Sequence, residues 1–452
     1  MKRITAFLLA LVCTFYMTGC NEKTESTQSS CEESIAYSPA EHNEDYYVKW
    51  AVPDSISLSD ETLDKINYLL ESRYDMGLRL IPLGDIPGEI DYQAELKSCD
   101  ADIAFIGFDP TDDTPCERLI SEGFFAPLDD MLVGSELISL IPEKLWESTR
   151  YNGSIYTIPN ETSQDIGVNI VFDLDKISKE QAESFDGDIS SLPDMLGENG
   201  MLYYGIDGFS FAEYYGCYYD NGLIITPEGM AESLLDNKEC RKWLSLFNSL
   251  YISGKADDNE NADWSIAVAK DILRLEKKNI YCYKTKAVIG TRCSATTGIL
   301  NSSDKKQRAF DLLEIVHKDK EIANLLVYGD GFTEKDGYAY DSEGELVYGF
   351  IGKLIFGLDT GVLRGSDMLI SFETADEKIA YYDENVTLSQ SCGVDLSGEL
   401  SEVRELMNSD KDMWKSKSFD DDIAKLDDKL KEADIDTLTA AVNEKIKSRQ
   451  QP

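Results

Sequence analysis

Short apolar segments alternate with amphipathic ones over the first part of this chain, and the alternation restricts the folds open to it. Segments 47–52, 78–81 and 102–106 are short and apolar, as buried strands are. A helix with one apolar face is predicted to begin at Ser59 or Asp60, between the first two segments. Strands that alternate with helices form a mainly parallel sheet covered on both faces. The expected fold class is therefore α/β.

Two acidic residues come directly after predicted strands. Asp54 follows segment 47–52, and Asp109 follows segment 102–106. In open α/β sheets, ligands bind beyond the carboxyl ends of the strands. Both residues are therefore candidates for contact with a small molecule. The alternatives are structural, because Asp54 could cap the next helix and Asp109 stands beside a proline, as turn residues often do.

The first nineteen residues have the pattern of a secretion signal. Lys2 and Arg3 precede an apolar run, 4–17, of about fourteen residues. This run is shorter than the roughly twenty residues that cross a bilayer. Small residues then lead to Cys20, a pattern that resembles a bacterial lipobox and implies removal of 1–19 and acylation of Cys20. An ordinary cleaved signal followed by a chance cysteine is the alternative.

The residues after the signal are predicted to be a disordered tether. Segment 20–45 is polar and rich in Ser, Thr and Glu, with too little apolar surface to fold. No later segment is long and apolar enough to be predicted as a membrane span. We therefore expect the protein at the extracytoplasmic face of the cell membrane, held there by its lipid anchor only.

The charge of the chain excludes some partners. The 452 residues include 43 Lys and Arg against 85 Asp and Glu, a formal net charge of −42. Such a charge argues against binding to nucleic acid and against attraction to anionic lipid. It says little about a small ligand, because salt screens charges beyond about 10 Å. The length that remains after the tether suits two or three domains.

Residue types that catalysis and metal binding need are scarce. His42 falls in the predicted tether and His317 in a predicted helix, and the chain has 2 histidines in all. A His-based triad or zinc site is therefore not expected. Segment 257–263 lacks the Gly and the terminal Glu of a calcium loop, so we interpret it as a solvated loop. We expect no enzyme activity, no cofactor and no metal.

The cysteines leave one question open. Of the 10 cysteines, Cys13 leaves with the signal and Cys20 is the lipid site, so an even number remains. An even number outside the cytoplasm permits disulfides. The chain is also large enough to fold without them, and the sequence does not decide whether any pair forms.

Several short motifs in a fixed order resemble a known family. The strand DIAF at 102–105 is followed by G-x-x-x-PLDDML at 123–132 and then by an aromatic-N-G-x-x-Y-x-I-P hairpin at 151–159. This order resembles family 1 of the extracellular solute-binding proteins, which includes the maltose-binding proteins. Segments 372–406 and 426–450 resemble a C-terminal region found on one lipoprotein branch of that family.

The resemblance implies a two-lobed fold of the periplasmic-binding-protein type II, in which hinge strands cross between the lobes. The expected bounds are 46–159 and 295–347 for lobe 1, and 160–294 and 348–452 for lobe 2. Crossings are expected near 156–160, 294–298 and 348–352, and a ligand would close the lobes around itself. One departure is Asp434, where relatives tend to have Gly; Asp can occupy a left-handed helix end at modest cost.

The same resemblance implies a set of ligand contacts, which are Asp54, Asp109, Glu161, Asp207, Phe209 and Tyr283. Acidic groups would accept hydrogen bonds from sugar hydroxyls, and rings would cover apolar sugar faces. Glu161 follows the first expected crossing, although it could simply be exposed. Asp207 and Phe209 match an acid followed at two residues by an aromatic, and Tyr283 lies near a stacking aromatic of the second lobe.

The predicted function is that of a substrate-binding lipoprotein of an ABC importer. It would act as a monomer, capture a carbohydrate, expected to be an oligosaccharide, and deliver it to the permease subunits in the membrane. One alternative is a surface-anchored glycan hydrolase, which would release products from a glycan. The other is a binding fold repurposed as a sensor or interaction module, which would have no permease partner.

Overall fold

The computed structural model describes residues 42–56, 58–84, 92–106, 115–160, 167–206, 209–220, 222–259, 261–270, 275, 279–290, 295–366, 372–392, 394, 401–410 and 412–449. These residues form an α/β fold with two lobes, each built on a five-stranded sheet. The fold class predicted from the sequence is therefore confirmed.

The strands are β1 (Tyr47–Pro53), β2 (Gly77–Leu83), β3 (Ile103–Ile106), β4 (Arg150–Tyr151), β5 (Ser154–Ile155), β6 (Thr157–Pro159), β7 (Asn169–Asp173), β8 (Leu202–Gly205), β9 (Tyr218–Asp220), β10 (Leu223–Ile225), β11 (Ala231–Ser233), β12 (Ala256–Asp257), β13 (Ile266–Ala269), β14 (Ile280–Tyr283), β15 (Ala287–Ile289), β16 (Thr296–Ile299), β17 (Thr333–Lys335), β18 (Tyr338–Tyr340) and β19 (Val386–Leu388).

The α-helices are α1 (Asp60–Tyr74), α2 (Tyr92–Ser98), α3 (Pro115–Ser121), α4 (Asp129–Leu132), α5 (Leu137–Leu140), α6 (Glu143–Ser148), α7 (Lys179–Glu183), α8 (Leu192–Leu196), α9 (Lys238–Ile252), α10 (Lys306–Lys318), α11 (Lys320–Tyr328), α12 (Phe350–Phe356), α13 (Ala375–Asn385), α14 (Ser401–Ser409), α15 (Phe419–Glu432) and α16 (Ile435–Arg449). Short 3-10 helices are Glu44–Tyr46, Ile189–Ser191, Ser210–Tyr215 and Met413–Lys415. No helix within the described ranges combines the length and the apolar character that a membrane crossing requires.

The first sheet has the strand order β2-β1-β3-β16-β6. β1 is parallel to β2 and β3, whereas β16 is antiparallel to β3 and β6. Successive residues of β1 point to opposite faces, so Trp50 and Ala51 are buried in two different apolar clusters. The sheet is therefore covered on both faces, as predicted. We call the cluster on the Trp50 side the first core; it includes Val48, Trp50, Leu70, Phe310, Leu313, Phe356 and Tyr382.

Helix α1 shows how the local sequence determines the structure next to β1. The Ser59 hydroxyl accepts a hydrogen bond from the Thr62 backbone N–H at 3.0 Å, so Ser59 is the N-cap. Ile66, Leu69 and Leu70 lie on one face and are buried in the first core. The cap places the beginning of α1 immediately beyond the carboxyl end of β1.

The second sheet has the strand order β12-β8-β13-β7-β14. β8 is parallel to β12 and β13, and β7 is antiparallel to β13 and β14. Its largest apolar cluster, which we call the second core, includes Phe172, Leu202, Phe211, Trp243, Phe247 and Trp414. Trp243 is fully buried there, as Trp50 is in the first core.

The last three helices, α14 to α16, pack on the second core. Leu426, Leu430 and Val442 are buried there. Asn443 of α16 bonds both the N–H and the C=O of Ala231 on β11, at 2.8 and 2.9 Å. Between α15 and α16, Asp434 has a φ of 60°, so it occupies the left-handed helix end that the sequence predicted for it.

Helices α12 and α13 and strand β19 pack against the first sheet instead. Ile355, Phe356 and Tyr382 belong to the first core. The ring of Phe356 meets the ring of Trp50 edge-on, with centroids 5.1 Å apart. Apolar burial therefore joins α12, α13 and β19 to the first core.

This placement corrects the expected start of the second lobe at residue 348 and the expected crossing at 348–352. A Cβ on Gly352 would lie 2.7 Å from the Cα of Val327, so α12 rests on α11 at a position without a side chain. An apolar helix can be recognised from the sequence, but the surface that receives it depends on such a close approach. The other expected lobe bounds remain predictions.

Three connections join the two cores within the described ranges. The chain passes from β6 to β7, from β14 through β15 to β16, and from β19 to Val394, which lies in the second core. β15 and β19 pair in parallel, with Ala287 opposite Val386 and Ile289 opposite Leu388. Two of the three connections are therefore hydrogen-bonded to each other.

Candidate functional site

The carboxyl end of the first sheet is also the edge from which the chain leaves it. Thr296, at the start of β16, pairs with Ile106 on one side and Pro159 on the other. Those two residues end β3 and β6. Asp54 follows β1 at the same edge, because β1 and β3 are parallel. Asp54 is exposed, and its neighbour Ser55 lines a cavity at this edge.

The cavity beside α1 has a volume of about 410 Å³. This volume lies within the usual range for small-molecule sites. Three pieces of chain form its wall: the turn after β1 with the first turn of α1, the end of α11, and the start of α12. Its lining residues are Ser55, Ile56, Leu58, Ser59, Thr62, Leu326, Val327, Tyr328, Gly329, Asp330, Gly331, Tyr348, Ile351 and Gly352.

A chain of hydroxyl groups ends on a carboxylate in this cavity. The Thr62 hydroxyl donates to Oδ1 of Asp330 at 2.8 Å. Because its single proton is used there, the Ser59 hydroxyl donates to Thr62 Oγ1 across 2.9 Å. Asp330 itself is exposed. A carboxylate offers about four acceptor positions, so Asp330 can also accept hydrogen bonds from a ligand.

Two tyrosines contribute aromatic surface to the same cavity. Tyr348 is 61% exposed, although it is a large side chain with an apolar ring. Tyr328 is half-buried, and its hydroxyl donates to the C=O of Leu363 at 2.5 Å. A Cβ on Gly349 would lie 2.4 Å from the Tyr328 ring, so the backbone next to Tyr348 rests directly on that ring.

One buried amide holds the first connection in place. The Asn160 backbone N–H donates to the C=O of Ala295 at 2.9 Å. Its side-chain Nδ2 donates to Thr297 Oγ1 at 2.9 Å and to the C=O of Ile355 at 2.7 Å. Asn160 is 1% exposed, so these bonds are shielded from water. They join the end of β6 to β16 and to α12.

The second sheet presents charged and aromatic groups at the edge where β8 and β13 end. Gly205 pairs with Ala269, and Lys270 follows. Lys270 Nζ lies 2.6 Å from a carboxylate oxygen of Glu213. A Cβ on Gly205 would lie 2.5 Å from Tyr203, whose ring therefore covers the end of β8. The sequence carried no signal for this ion pair, because its partners are far apart in the chain.

Tyr283 and Phe209, two of the predicted contacts, lie near this edge. Tyr283 ends β14 opposite Ile170, and its ring packs edge-on against Phe185 with centroids 5.0 Å apart. Its hydroxyl donates to the C=O of Asp186 at 3.4 Å. Phe209 is 2% exposed and belongs to the second core. The structure therefore uses the Phe209 ring for packing, whereas part of Tyr283 is open to solvent.

The other predicted contacts, Asp109, Glu161 and Asp207, lie outside the described residues, as does Cys20. Their roles remain proposals. The structure brings Asp54 to the carboxyl edge of the first sheet and Tyr283 to the corresponding edge of the second. It adds Asp330, Tyr348 and the Lys270–Glu213 pair, none of which was expected from the sequence.

Catalysis often depends on a bound metal ion or a reactive thiol, and the described ranges bear on both. No group of three or more His, Cys, Asp or Glu side chains there could hold a metal ion. Burial raises the pKa of the Cys217 thiol to about 11 and that of Cys240 to about 12. Both therefore remain protonated thiols at neutral pH and are poor nucleophiles.

The comparisons with known proteins establish the fold. No protein-family model matches the sequence, and no curated protein sequence matches it. The N-glycan transport solute binding protein NgtS from Streptococcus pneumoniae shares the architecture, with a TM-score of 0.60 and 16% identity. The match covers 89% of this chain and 98% of NgtS.

Two further solved structures agree. NgtS in complex with Man5GlcNAc has a TM-score of 0.51 and 17% identity, over 90% of this chain and 99% of that chain. The S. pneumoniae ABC-transporter substrate binding protein FusA, in complex with kestose, has a TM-score of 0.52 and 12% identity, over 90% and 99%. At these identities the likeness concerns the fold.

Proposed function

We propose that this protein is the substrate-binding component of an ABC importer and captures a carbohydrate between its two lobes. The proposal rests on the fold together with the side chains that lie at one edge of each sheet. Both sheets present polar and aromatic side chains at the edges where the connecting segments leave them, and the fold is one that NgtS and FusA also have. In a two-lobed protein of this kind, ligand binding closes the lobes.

The chemistry of the two edges supports a sugar. Sugars offer hydroxyl groups and apolar ring faces, so they are held by carboxylates, amides and aromatic rings. Asp330 and Tyr348 supply a carboxylate and a ring at the first edge, and Glu213 and Tyr283 supply them at the second. The length of the ligand is proposed to exceed one sugar unit, as in family 1 of the extracellular solute-binding proteins that the sequence motifs resemble.

The proposal includes the cellular setting. Residues 1–19 would be a lipoprotein signal, Cys20 would carry the lipid, and 20–45 would tether the folded part to the extracytoplasmic face of the membrane. The protein would act as a monomer and pass its ligand to permease subunits without changing it chemically. Asp54, Asp109, Glu161, Asp207 and Tyr283 are proposed to contact the ligand, together with the cavity residues described above.

A thermal-shift screen tests the proposal. The full chain is purified in a detergent without a sugar headgroup and is incubated with kestose, Man5GlcNAc, maltotriose, cellotriose, a dipeptide and spermidine. A ligand present at a hundred times its dissociation constant stabilises the folded state by about 2.7 kcal/mol. We expect at least one oligosaccharide to raise the unfolding temperature and to be recovered intact. Stabilisation by the dipeptide or spermidine and by none of the sugars would contradict the proposal.

A further inference from the structure

We propose that the cavity beside α1 is a subsite for one neutral sugar unit, which stacks on Tyr348 and donates hydroxyl hydrogen bonds to Asp330. The inference rests on the proposed function and adds the part of the ligand that the first lobe recognises.

The position of Tyr348 is the first reason. Its side chain is 61% exposed at the mouth of a cavity, where a large ring gains little from packing within the protein. The Tyr348 ring lies beside the Phe350 ring, with centroids 6.2 Å apart. The backbone at Gly349 rests on the Tyr328 ring, whose hydroxyl is bonded to Leu363. A tyrosine side chain has few rotatable bonds, so it loses little entropy when a flat ligand covers it.

The state of Asp330 is the second reason. The relay from Ser59 through Thr62 gives one of its oxygens a fixed hydrogen-bond donor at 2.8 Å. This bond orients the carboxylate, and its remaining acceptor positions can receive hydroxyl hydrogens from a ligand. Hydrogen bonds to an ionised carboxylate are about twice as strong as those between neutral groups. The Asp330 carboxylate would therefore both attract the hydroxyl groups of a ligand and determine their orientation.

The charge of the lining decides the class of ligand. Among the described residues, the lining contains one carboxylate and no Lys or Arg, and it includes the apolar side chains of Ile56, Leu58 and Ile351. Lys353 Nζ lies 5.9 Å from the centroid of the Tyr328 ring, but its side chain is fully buried and does not line the cavity. An acidic sugar or a phosphate would therefore face Asp330 without a cation in the lining, so anionic ligands are disfavoured. A ring together with a carboxylate can also attract an ammonium group. Asp330 offers several acceptor positions beside these apolar side chains, which favours a ligand that carries several hydroxyl groups.

The cavity is complete within one lobe. The helices that line it, α1, α11 and α12, all contribute side chains to the first core. No residue of the second sheet is needed to form it. The subsite can therefore hold one end of a sugar chain before the lobes close, and the second lobe then meets a ligand that is already oriented.

Substitutions at the cavity test the subsite. The full chain, in a detergent without a sugar headgroup, is titrated with kestose, Man5GlcNAc, maltotriose and spermidine by calorimetry. Tyr348→Ala is expected to weaken binding of the sugar that the unchanged chain prefers by about tenfold, since a tenfold loss equals 1.4 kcal/mol. Asp330→Asn, which keeps the shape but removes the charge, is expected to weaken it by about fivefold.

Two matched variants serve as controls. Tyr348→Phe keeps the ring and should bind within about twofold of the unchanged chain. Tyr68→Ala removes a tyrosine of the same lobe that is 42% exposed and does not line the cavity, and should leave binding unchanged. Thermal unfolding without ligand shows whether each variant is folded.

The outcomes separate the subsite from the proposed function. Sugar binding that is the same in Tyr348→Ala and in the unchanged chain would overturn the subsite and leave the function standing. Binding of spermidine instead of any sugar, lost in Tyr348→Ala, would make the cavity a cation site and overturn both. If the unchanged chain binds no sugar and no spermidine, the function fails and the subsite with it.

Discussion

The guanidinium of Arg404 bonds both carboxylate oxygens of Asp220, with Nε and Nη2 each 3.1 Å from its own oxygen. The two residues are 5% and 3% exposed. Arg404 lies on α14 and Asp220 ends β9, so the pair ties the C-terminal helices to the body of the second lobe. Both charged groups are shielded from water, and the two charge-assisted hydrogen bonds between them fix the geometry of the pair.

We expect Arg404→Met to lower the free energy of unfolding by about 3–5 kcal/mol, because it leaves Asp220 as a buried charge without its partner. The double variant Arg404→Met with Asp220→Leu should recover most of the loss, since neither charge remains. Chemical denaturation measures both. Lys179→Met is the control, because Lys179 is 67% exposed and lies 3.6 Å from Glu183; it should cost about 0–1 kcal/mol. A double variant no more stable than the single one would contradict the explanation.

The stability of the protein should depend on His317 below neutral pH. Burial lowers the pKa of His317 to about 4, and its Nδ1 lies 2.7 Å from the C=O of Leu313. The charged groups that act on it are Lys378 and Asp359, which form a buried pair at 2.7 Å. Between about pH 6.5 and 4 the unfolded chain binds a proton at this residue and the folded chain does not. The contribution of His317 to stability is therefore complete above that window and falls as the pH drops through it.

The comparison of the unchanged chain with His317→Asn isolates this effect. Asn keeps a donor for Leu313 and does not titrate. Between pH 7.5 and pH 4.5, the unchanged chain should lose about 1–3 kcal/mol more of its free energy of unfolding than His317→Asn loses. Denaturant titrations at several pH values measure the difference. Parallel pH profiles for the two chains would show that His317 does not titrate in this way.

Gly290 should tolerate no larger residue. A Cβ at this position would lie 1.9 Å from Cε2 of Tyr218, on the connection that leads from β15 to β16. Gly290→Ala should therefore destabilise the chain by about 1–3 kcal/mol. In a Tyr218→Ala background the same glycine substitution should cost less, because the overlapping ring is absent. Gly331→Ala, where no atom lies within 4 Å, is the control and should change stability little. An unaffected Gly290→Ala would disprove the contact.

Asp109 is proposed to contact the ligand on sequence grounds. Asp109→Ala should weaken the preferred sugar by about tenfold or more, which equals a loss of about 1.4 kcal/mol. Calorimetry measures affinity, and thermal unfolding without ligand checks that the fold is intact. Unchanged affinity would remove Asp109 from the site.

Cys20 is proposed to carry the lipid. An alkyne-labelled fatty acid fed to growing cells should appear on the unchanged chain and not on Cys20→Ser. Cys31→Ser, which alters another cysteine of the proposed tether, should keep the label. A label retained in Cys20→Ser would place the lipid elsewhere.

The elements near β1 were predictable because their signals are local. Segments 47–52, 78–81 and 102–106 fall on β1, β2 and β3, and the cap at Ser59 begins α1 as expected. These features depend on side chains within a few residues of one another. The choice of the α/β class needed no more than their order along the chain.

The rest depended on contacts between distant parts of the chain. Whether α12 joins the first or the second core is decided by its fit to α11 at Gly352, which is a tertiary contact. The pairing of Lys270 with Glu213 could not be predicted from the sequence either, because the chain has 85 acidic residues with which a lysine could pair. Phe209 matched an aromatic position of the resembled family, yet its ring is used to fill the second core.

The pairing of β15 with β19 fixes where two of the connections attach to the first lobe. Ala287, Ile289 and Val386 are buried in the first core, so the short ladder belongs to that lobe. Strands paired in this way cannot separate without breaking the hydrogen bonds between them. The two connections are therefore held side by side where they meet the first lobe.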